Sequence, residues 1–138
     1  MLRVYVAGPY NSDNVIGVLD NIRAGMRVAT ELLLMGVAPF CPFLDHMYQF
    51  MLQPGEKLTV PLYKAMSMAW LQASDILYVL PDYEHSQGTL DEIAEARRLG
   101  LPVFYDLCEL KLALKIAQEH IKNAMEKQRE STGVIIDG

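Results

Sequence analysis

The sequence predicts an α/β fold: three layers, with a flavodoxin/Rossmann-like parallel sheet of four to five strands and helices on both faces. Three observations predict it. Short β-rich runs alternate with longer stretches whose apolar residues recur at helical spacing. Glycine or proline closes nearly every run. The alternation itself, strand then helix, is that of right-handed βαβ units, which build parallel sheets.

Leu2 to Ala7 is a buried strand closed by Gly8-Pro9, and a polar loop, Tyr10 to Asn14, follows. From about Val15 to Met35, Ile22, Met26, Ala29, Leu32 and Leu33 mark a helix, with Gly36 as its stop. Val37 to Cys41 is a second short strand ending at Pro42. Phe43 to Val60 has no clear period, contains Pro54-Gly55, and reads as an irregular lid or pocket wall. Pro61 suits the first turn of a helix that runs to about Ala73. Asp75 to Leu80 is the third strand, Pro81 to Gln87 a loop, and Thr89 to Leu99 a helix stopped by Gly100. Pro102 to Tyr105 is the fourth strand. Glu109 to about Arg129 is a long helix of mixed charge. The chain reads as one domain over residues 1–138, with a core over about 2–130 and a tail over 131–138.

Composition narrows the function classes. Of 138 residues, 51% are hydrophobic and 21% charged, which excludes a disordered or fibrous chain. Twelve Lys+Arg against seventeen Asp+Glu give a net charge of −5, which argues against a polymeric nucleic acid as partner, because backbone binding needs clustered cations. One small anion held by backbone amides remains compatible. Two cysteines make no disulfide framework, no apolar run has the length of a membrane span, and the N-terminus enters a strand at once. The expectation is a cytoplasmic domain with no membrane partner. His46, His85 and His120 lack metal-ligand spacing, so no metal and no cofactor is expected. The eight Met read as core filler, Trp70 as core, and Cys41 and Cys108 as buried thiols.

In an open parallel sheet, ligands bind outside the carboxyl ends of the strands. Gly8-Pro9-Tyr10, Pro42 to His46, Pro81 to Gly88 and Asp106 occupy those ends. Gly8 permits close approach to the backbone, although a glycine after a strand more often just makes a turn. Neither a P-loop nor a dinucleotide fingerprint is present. The stronger motif is Ser86-Gln87-Gly88-Thr89-Leu90-Asp91-Glu92, which opens a helix. Ser86 can cap it, free amides there form an anion site, and Glu92 lies where the helix dipole favours a carboxylate. The plainer reading is a capped helix with solvent-facing acids, since Asp91 and Glu95 are acidic too. In Tyr83-Glu84-His85 an aromatic ring is available to stack on a base, against the plainer reading of a solvated loop.

Taken in order, VYVAGPY, NIRAGMRVATELLLMG, PFCPF and WLQASDILYVLPDYEHSQGTLDEIAEARRLGLPVFYD resemble the nucleoside 2-deoxyribosyltransferase-like superfamily, which includes 2′-deoxynucleoside 5′-phosphate N-hydrolases. The resemblance spans roughly residues 2 to 106. It implies that Glu92 is a nucleophile toward the anomeric carbon and that Tyr5 orients it. It also implies that Gly8, Pro9, Tyr10, Ser86 and Gly88 line the sugar and phosphate. Ser86 stands where the hydrolases carry a phosphate-binding serine and the transferases an aspartate, which favours a 5′-monophosphate. Relatives assemble as homodimers or higher homo-oligomers, so Ser131-Thr132 is a candidate for donation to a neighbour's site.

The resemblance also exposes a departure. The aspartate expected eight residues before Asp75 is Ser67 here, and serine is no general acid near neutral pH. Either another group serves, with Asp45, His46, Asp82 and His85 as candidates, or the protein binds a nucleotide without cleaving it. The implied function is an N-glycosidase acting on a (deoxy)nucleoside 5′-monophosphate. The alternatives are a nucleoside 2-deoxyribosyltransferase and a non-catalytic nucleotide-binding domain.

Overall fold

The computed structural model describes residues 1–133. Its contacts divide the chain into two compact units, Met1–Tyr105 and Asp106–Gly138.

The first unit holds a four-stranded parallel sheet: β1 (Arg3–Ala7), β2 (Ala38–Phe40), β3 (Ile76–Val79) and β4 (Val103–Phe104), in the order β2-β1-β3-β4. β1 and β3 are central, and both read as continuous apolar runs because layers cover both their faces. Val4, Tyr5, Val6 and Ala7 are all buried, as are Ile76 to Val79. Asp75 locks this pair at its start, accepting a hydrogen bond from the Arg3 amide at 2.8 Å.

The chain steps from β1 to β2 in one direction and from β2 over β1 to β3 and β4 in the other. Right-handed crossovers therefore put α1 (Val15–Leu34) on one face and α2 (Val60–Gln72) and α3 (Gln87–Arg98) on the other. The reversal of direction opens a crevice at the carboxyl ends of β1 and β3, where doubly wound folds place ligands. The expected fold class is the observed one.

Helix ends follow local chemistry. The Asn14 side chain accepts from the Gly17 amide at 2.8 Å, and Thr59 caps α2 just before Pro61. Gly36 and Gly100 have φ of 79° and 72°, conformations that end α1 and α3 at the expected stops.

Several sequence expectations need correction. The stretch from Phe43 is not irregular throughout, because Pro42–Met51 forms a 3₁₀ helix, η1. Three residues per turn do not give the 3.6-residue repeat by which a helix is recognised in sequence. None of the eight Met is buried, and Met1, Met47, Met51 and Met125 are largely exposed. Trp70 is not core: it is 51% exposed and stacks on Phe40 with ring centroids 5.2 Å apart. Cys41 is buried as expected, whereas Cys108 is exposed.

The second unit is α4 (Leu107–Thr132). Asp106 accepts from the Glu109 amide at 2.9 Å, so the helix begins two residues earlier than its apolar spacing suggests. It also runs past Arg129 to Thr132, so Ser131 and Thr132 are helical, and their hydroxyls donate to the Gln128 carbonyl. The rest of the expected tail, 134–138, lies outside the described residues. No helix among the described residues is long and apolar enough to cross a membrane.

Candidate active site

A cleft of about 790 Å³ opens at the carboxyl edge of the sheet. Three segments that the sequence assigns to this edge meet in its wall: Gly8 to Tyr10, Pro42 and Phe43 with Asp45 and His46, and Asp82 with His85 to Gly88. Glu92 and Ser67 join them. Asp106, expected at the carboxyl end of the fourth strand, follows β4 by two residues and caps α4. Tyr83 is not a wall residue. It packs on the core of the sheet and against Tyr105, with ring centroids 5.3 Å apart, so it is not available to stack on a ligand there.

Glu92 owes its position to the helix start. The Ser86 side chain accepts from the Thr89 amide at 3.4 Å and pairs with the Thr89 hydroxyl at 2.9 Å. That cap fixes the first turn of α3, and its period then separates three acids that look equivalent in sequence. Asp91 turns outward, where Lys64 and Gln87 pair with it and lower its pKa. Glu95 also turns outward, where bonds from Arg98 and Gln72 hold it down to about 2. Glu92 faces the cleft.

Burial pushes the Glu92 carboxyl up to about 7, the adjacent Tyr5 hydroxyl pulls the other way, and the charges of Asp91 and Asp45 raise it further. Its Oε2 is buried and has no hydrogen-bond partner among the described residues. The same is true of the Tyr5 hydroxyl, whose pKa rises through burial and the charge of Glu92. Tyr5 itself is fully buried on β1 and is not part of the cleft wall; its hydroxyl lies beside Glu92 and Ser67. Two adjacent buried polar atoms without partners are costly, and such sites accumulate where function requires them.

The rim of the cleft suits an anion. The Ser86 amide donates to the Tyr83 carbonyl and the Thr89 amide to Ser86, and among the described residues no group accepts from the amides of Gln87 and Gly88. A helix N-terminus with free amides attracts negative charge. Gly88 faces open space, with no atom within 4 Å of the position a Cβ would take, and its φ is not positive. Neither packing nor backbone geometry demands glycine there. Gly8 is different: a Cβ would meet the Leu80 side chain at 2.7 Å. Gly8→Ala is therefore expected to destabilise the fold by about 1–3 kcal/mol, read as a lowered urea midpoint at unchanged slope. Asp82 adopts the left-handed region, with φ 62°, at the turn that carries the chain from β3 to the rim.

The wall also contains residues that the sequence did not mark. Tyr63 and Gln49 line it and bond to each other at 2.9 Å; Asn11 and Thr89 line it too. Only Thr89 carried a sequence signal, standing three residues after the Ser86 cap. No Lys or Arg lines the cleft, and no group of three or more His, Cys, Asp or Glu among the described residues is placed to hold a metal ion.

Comparison with known proteins bears on this geometry. A family model described as "Domain of unknown function (DUF7768)" matches residues 2–106. No curated protein matches. A solved structure of a 2-deoxyribosyltransferase from the psychrotolerant bacterium Bacillus psychrosaccharolyticus is similar in fold, with a TM-score of 0.54 at 20% identity over 73% of this chain and 69% of that one.

Proposed function

The chain belongs to the DUF7768 family, and from that premise we propose that it is an N-glycosidase cleaving the base–sugar bond of a (deoxy)nucleoside 5′-monophosphate. One observation carries the reading. Glu92 presents a buried, unpartnered carboxyl oxygen in a cleft whose rim is a helix N-terminus with free amides.

Glu92, once ionised, attacks C1′ through an oxocarbenium-like transition state and holds the sugar covalently until water releases it. Tyr5 positions Glu92. With the Thr89 hydroxyl as the donor in their pair, the Ser86 hydroxyl accepts from Thr89 and keeps its own proton for a phosphate, and the amides of Gln87 and Gly88 complete the cradle. Gly8, Pro9 and Tyr10 line the sugar side, while Asp45, His46, Asp82 and Ser67 are further wall residues. A neutral cradle of this kind is how an acidic protein accommodates one phosphate. The fold likeness to a 2-deoxyribosyltransferase supports a glycosyl-transfer chemistry of this type. It also motivates the second reading, in which an acceptor base intercepts the sugar before water does.

We take the protein to be cytoplasmic and to act as a homodimer or higher homo-oligomer. Exposed Leu33, Leu34, Met47 and Phe50 in the first unit support the latter.

The test is release of free base, followed by chromatography, from a panel of nucleosides and their 5′-monophosphates, with and without a second base as acceptor. Free base and sugar phosphate without acceptor support the hydrolase; a new nucleoside only with acceptor supports the transferase. Tight binding with no turnover over hours overturns both in favour of a nucleotide-binding domain.

A further inference from the structure

We propose that Asp45 is the acid that protonates the departing base, an assignment that rests on the reading of Glu92 as nucleophile. Breaking a glycosidic C–N bond leaves an electron pair on the base nitrogen. A neutral base departs readily only when a proton arrives with that pair, and retaining glycosidases meet this need with a second carboxyl across the cleft from the first.

The wall offers few donors. Ser67 lines the cleft but carries only a hydroxyl. His46 has its Nδ1 engaged with the Phe43 carbonyl at 2.7 Å. Asp82 and His85 are exposed, in the turn after β3. Asp45 is half-buried, in the first turns of η1. It lines the same cleft wall as Glu92 and Tyr10, on an element separate from α3, so it shares the nucleophile's cavity. Burial pushes its carboxyl up to about 6, while His46 beside it pulls the other way. A carboxyl so placed retains a usable fraction of its proton near neutral pH.

The step balances. A Glu92 carboxylate oxygen bonds to C1′ as the C1′–N bond breaks, the electron pair passes to nitrogen, and the Asp45 proton moves to the base, which leaves neutral. Water then attacks C1′, gives a proton to the Asp45 carboxylate, and frees both the sugar and Glu92.

The test compares two leaving groups. The first substrate is 2′-deoxyguanosine 5′-monophosphate, and the second is its N7-methylated form, whose cationic base departs without protonation. Asp45→Asn is expected to lower kcat/KM for the first by roughly 10²–10⁴-fold and for the second by less than about tenfold. The pH profile gives an independent readout. Wild type on the neutral base should show a bell whose limbs belong to the Asp45–Glu92 pair, between about 6 and 7. His46, Tyr5, Tyr10 and Cys41 also interact electrostatically with Asp45, and the bell is assigned to the pair only if Asp45→Asn on the neutral base rises to a plateau with no alkaline fall. Asp45→Ser reads the same leaving-group ratio through a second side chain.

Equal losses on both substrates, or no loss on the neutral one, overturn the assignment of Asp45 while release that still depends on Glu92 leaves the glycosidase standing. If wild type releases neither base, the glycosidase itself fails, and the role of Asp45 with it.

Discussion

Glu92→Gln is expected to abolish base release, by roughly 10⁴–10⁶-fold, and to make the protein more stable at the same time. The two effects share one cause. Burial holds the Glu92 carboxyl at about 7 against an ordinary value of 4.5, and no described group bonds its buried Oε2. The folded state therefore prefers the protonated acid. The stabilising effect of that preference is complete below the unfolded value near 4.5 and is lost as pH rises through 7. At pH 8, where the carboxylate is ionised, its burial costs about 3 kcal/mol, at about 1.4 kcal/mol for each tenfold change in proton affinity. Glutamine has the same shape and no charge, so it removes this cost. Thermal melts at pH 8 should show the variant higher by about 5–10 °C, and the difference should vanish near pH 4. A variant that loses activity but melts lower than wild type at pH 8 would mean that Glu92 is a structural group. Unchanged base release would remove it from the mechanism. Stability gained by deleting a catalytic group is the trade-off expected where a site stores unfavourable electrostatics for its chemistry.

The contrast among Asp91, Glu92 and Glu95 shows how far sequence reading reaches. Spacing put all three on one helix, and Ser86 was identified as its cap. The cap is what sets the rotation of α3 and turns only Glu92 inward. The partners that make Asp91 and Glu95 ordinary, Lys64 and Gln72, come from α2, and no local pattern links them to α3. The strands of the sheet were legible because buried parallel strands are short, apolar and closed by glycine or proline, and each left its mark in a few consecutive residues. η1 was not legible, because a 3₁₀ repeat imitates no familiar period. The acid now assigned to the departing base, Asp45, and the wall residue Gln49 both lie in that segment. Trp70 misled for a related reason: a large aromatic is usually buried, but here one ring face stacks on Phe40 and the rest meets solvent. The site was thus readable where it is built from strand ends and a helix cap, and obscure where it is built from side chains that one element lends to another.

Ser86→Asp is expected to separate recognition of the phosphate from everything else Ser86 does. Serine at this position has two tasks. It caps α3, accepting from the Thr89 amide, and in the proposed function it donates to a phosphate oxygen. Aspartate caps a helix as well as serine does, so the fold and the inward aim of Glu92 should survive, with stability changed by less than about 0.5 kcal/mol. The second task is reversed. An ionised carboxylate has no proton to give, and it brings a negative charge against the dianion in a cleft wall that holds no Lys or Arg to offset it. Losing a hydrogen bond to a charged group costs about 1.5–3 kcal/mol before repulsion is counted, so kcat/KM for 5′-monophosphates should fall by about 10²-fold or more. Uncharged nucleosides meet no such penalty, and their kcat/KM should stay within about threefold of wild type or rise as the carboxylate accepts from a 5′-hydroxyl. The ratio of the two specificity constants is the quantity to measure. If it does not move, the phosphate does not sit at the α3 N-terminus, and the preference for a monophosphate has to be sought elsewhere in the cleft. If both constants collapse together while the melting temperature holds, Ser86 acts on the sugar or on Glu92, and the substrate is better sought among free nucleosides.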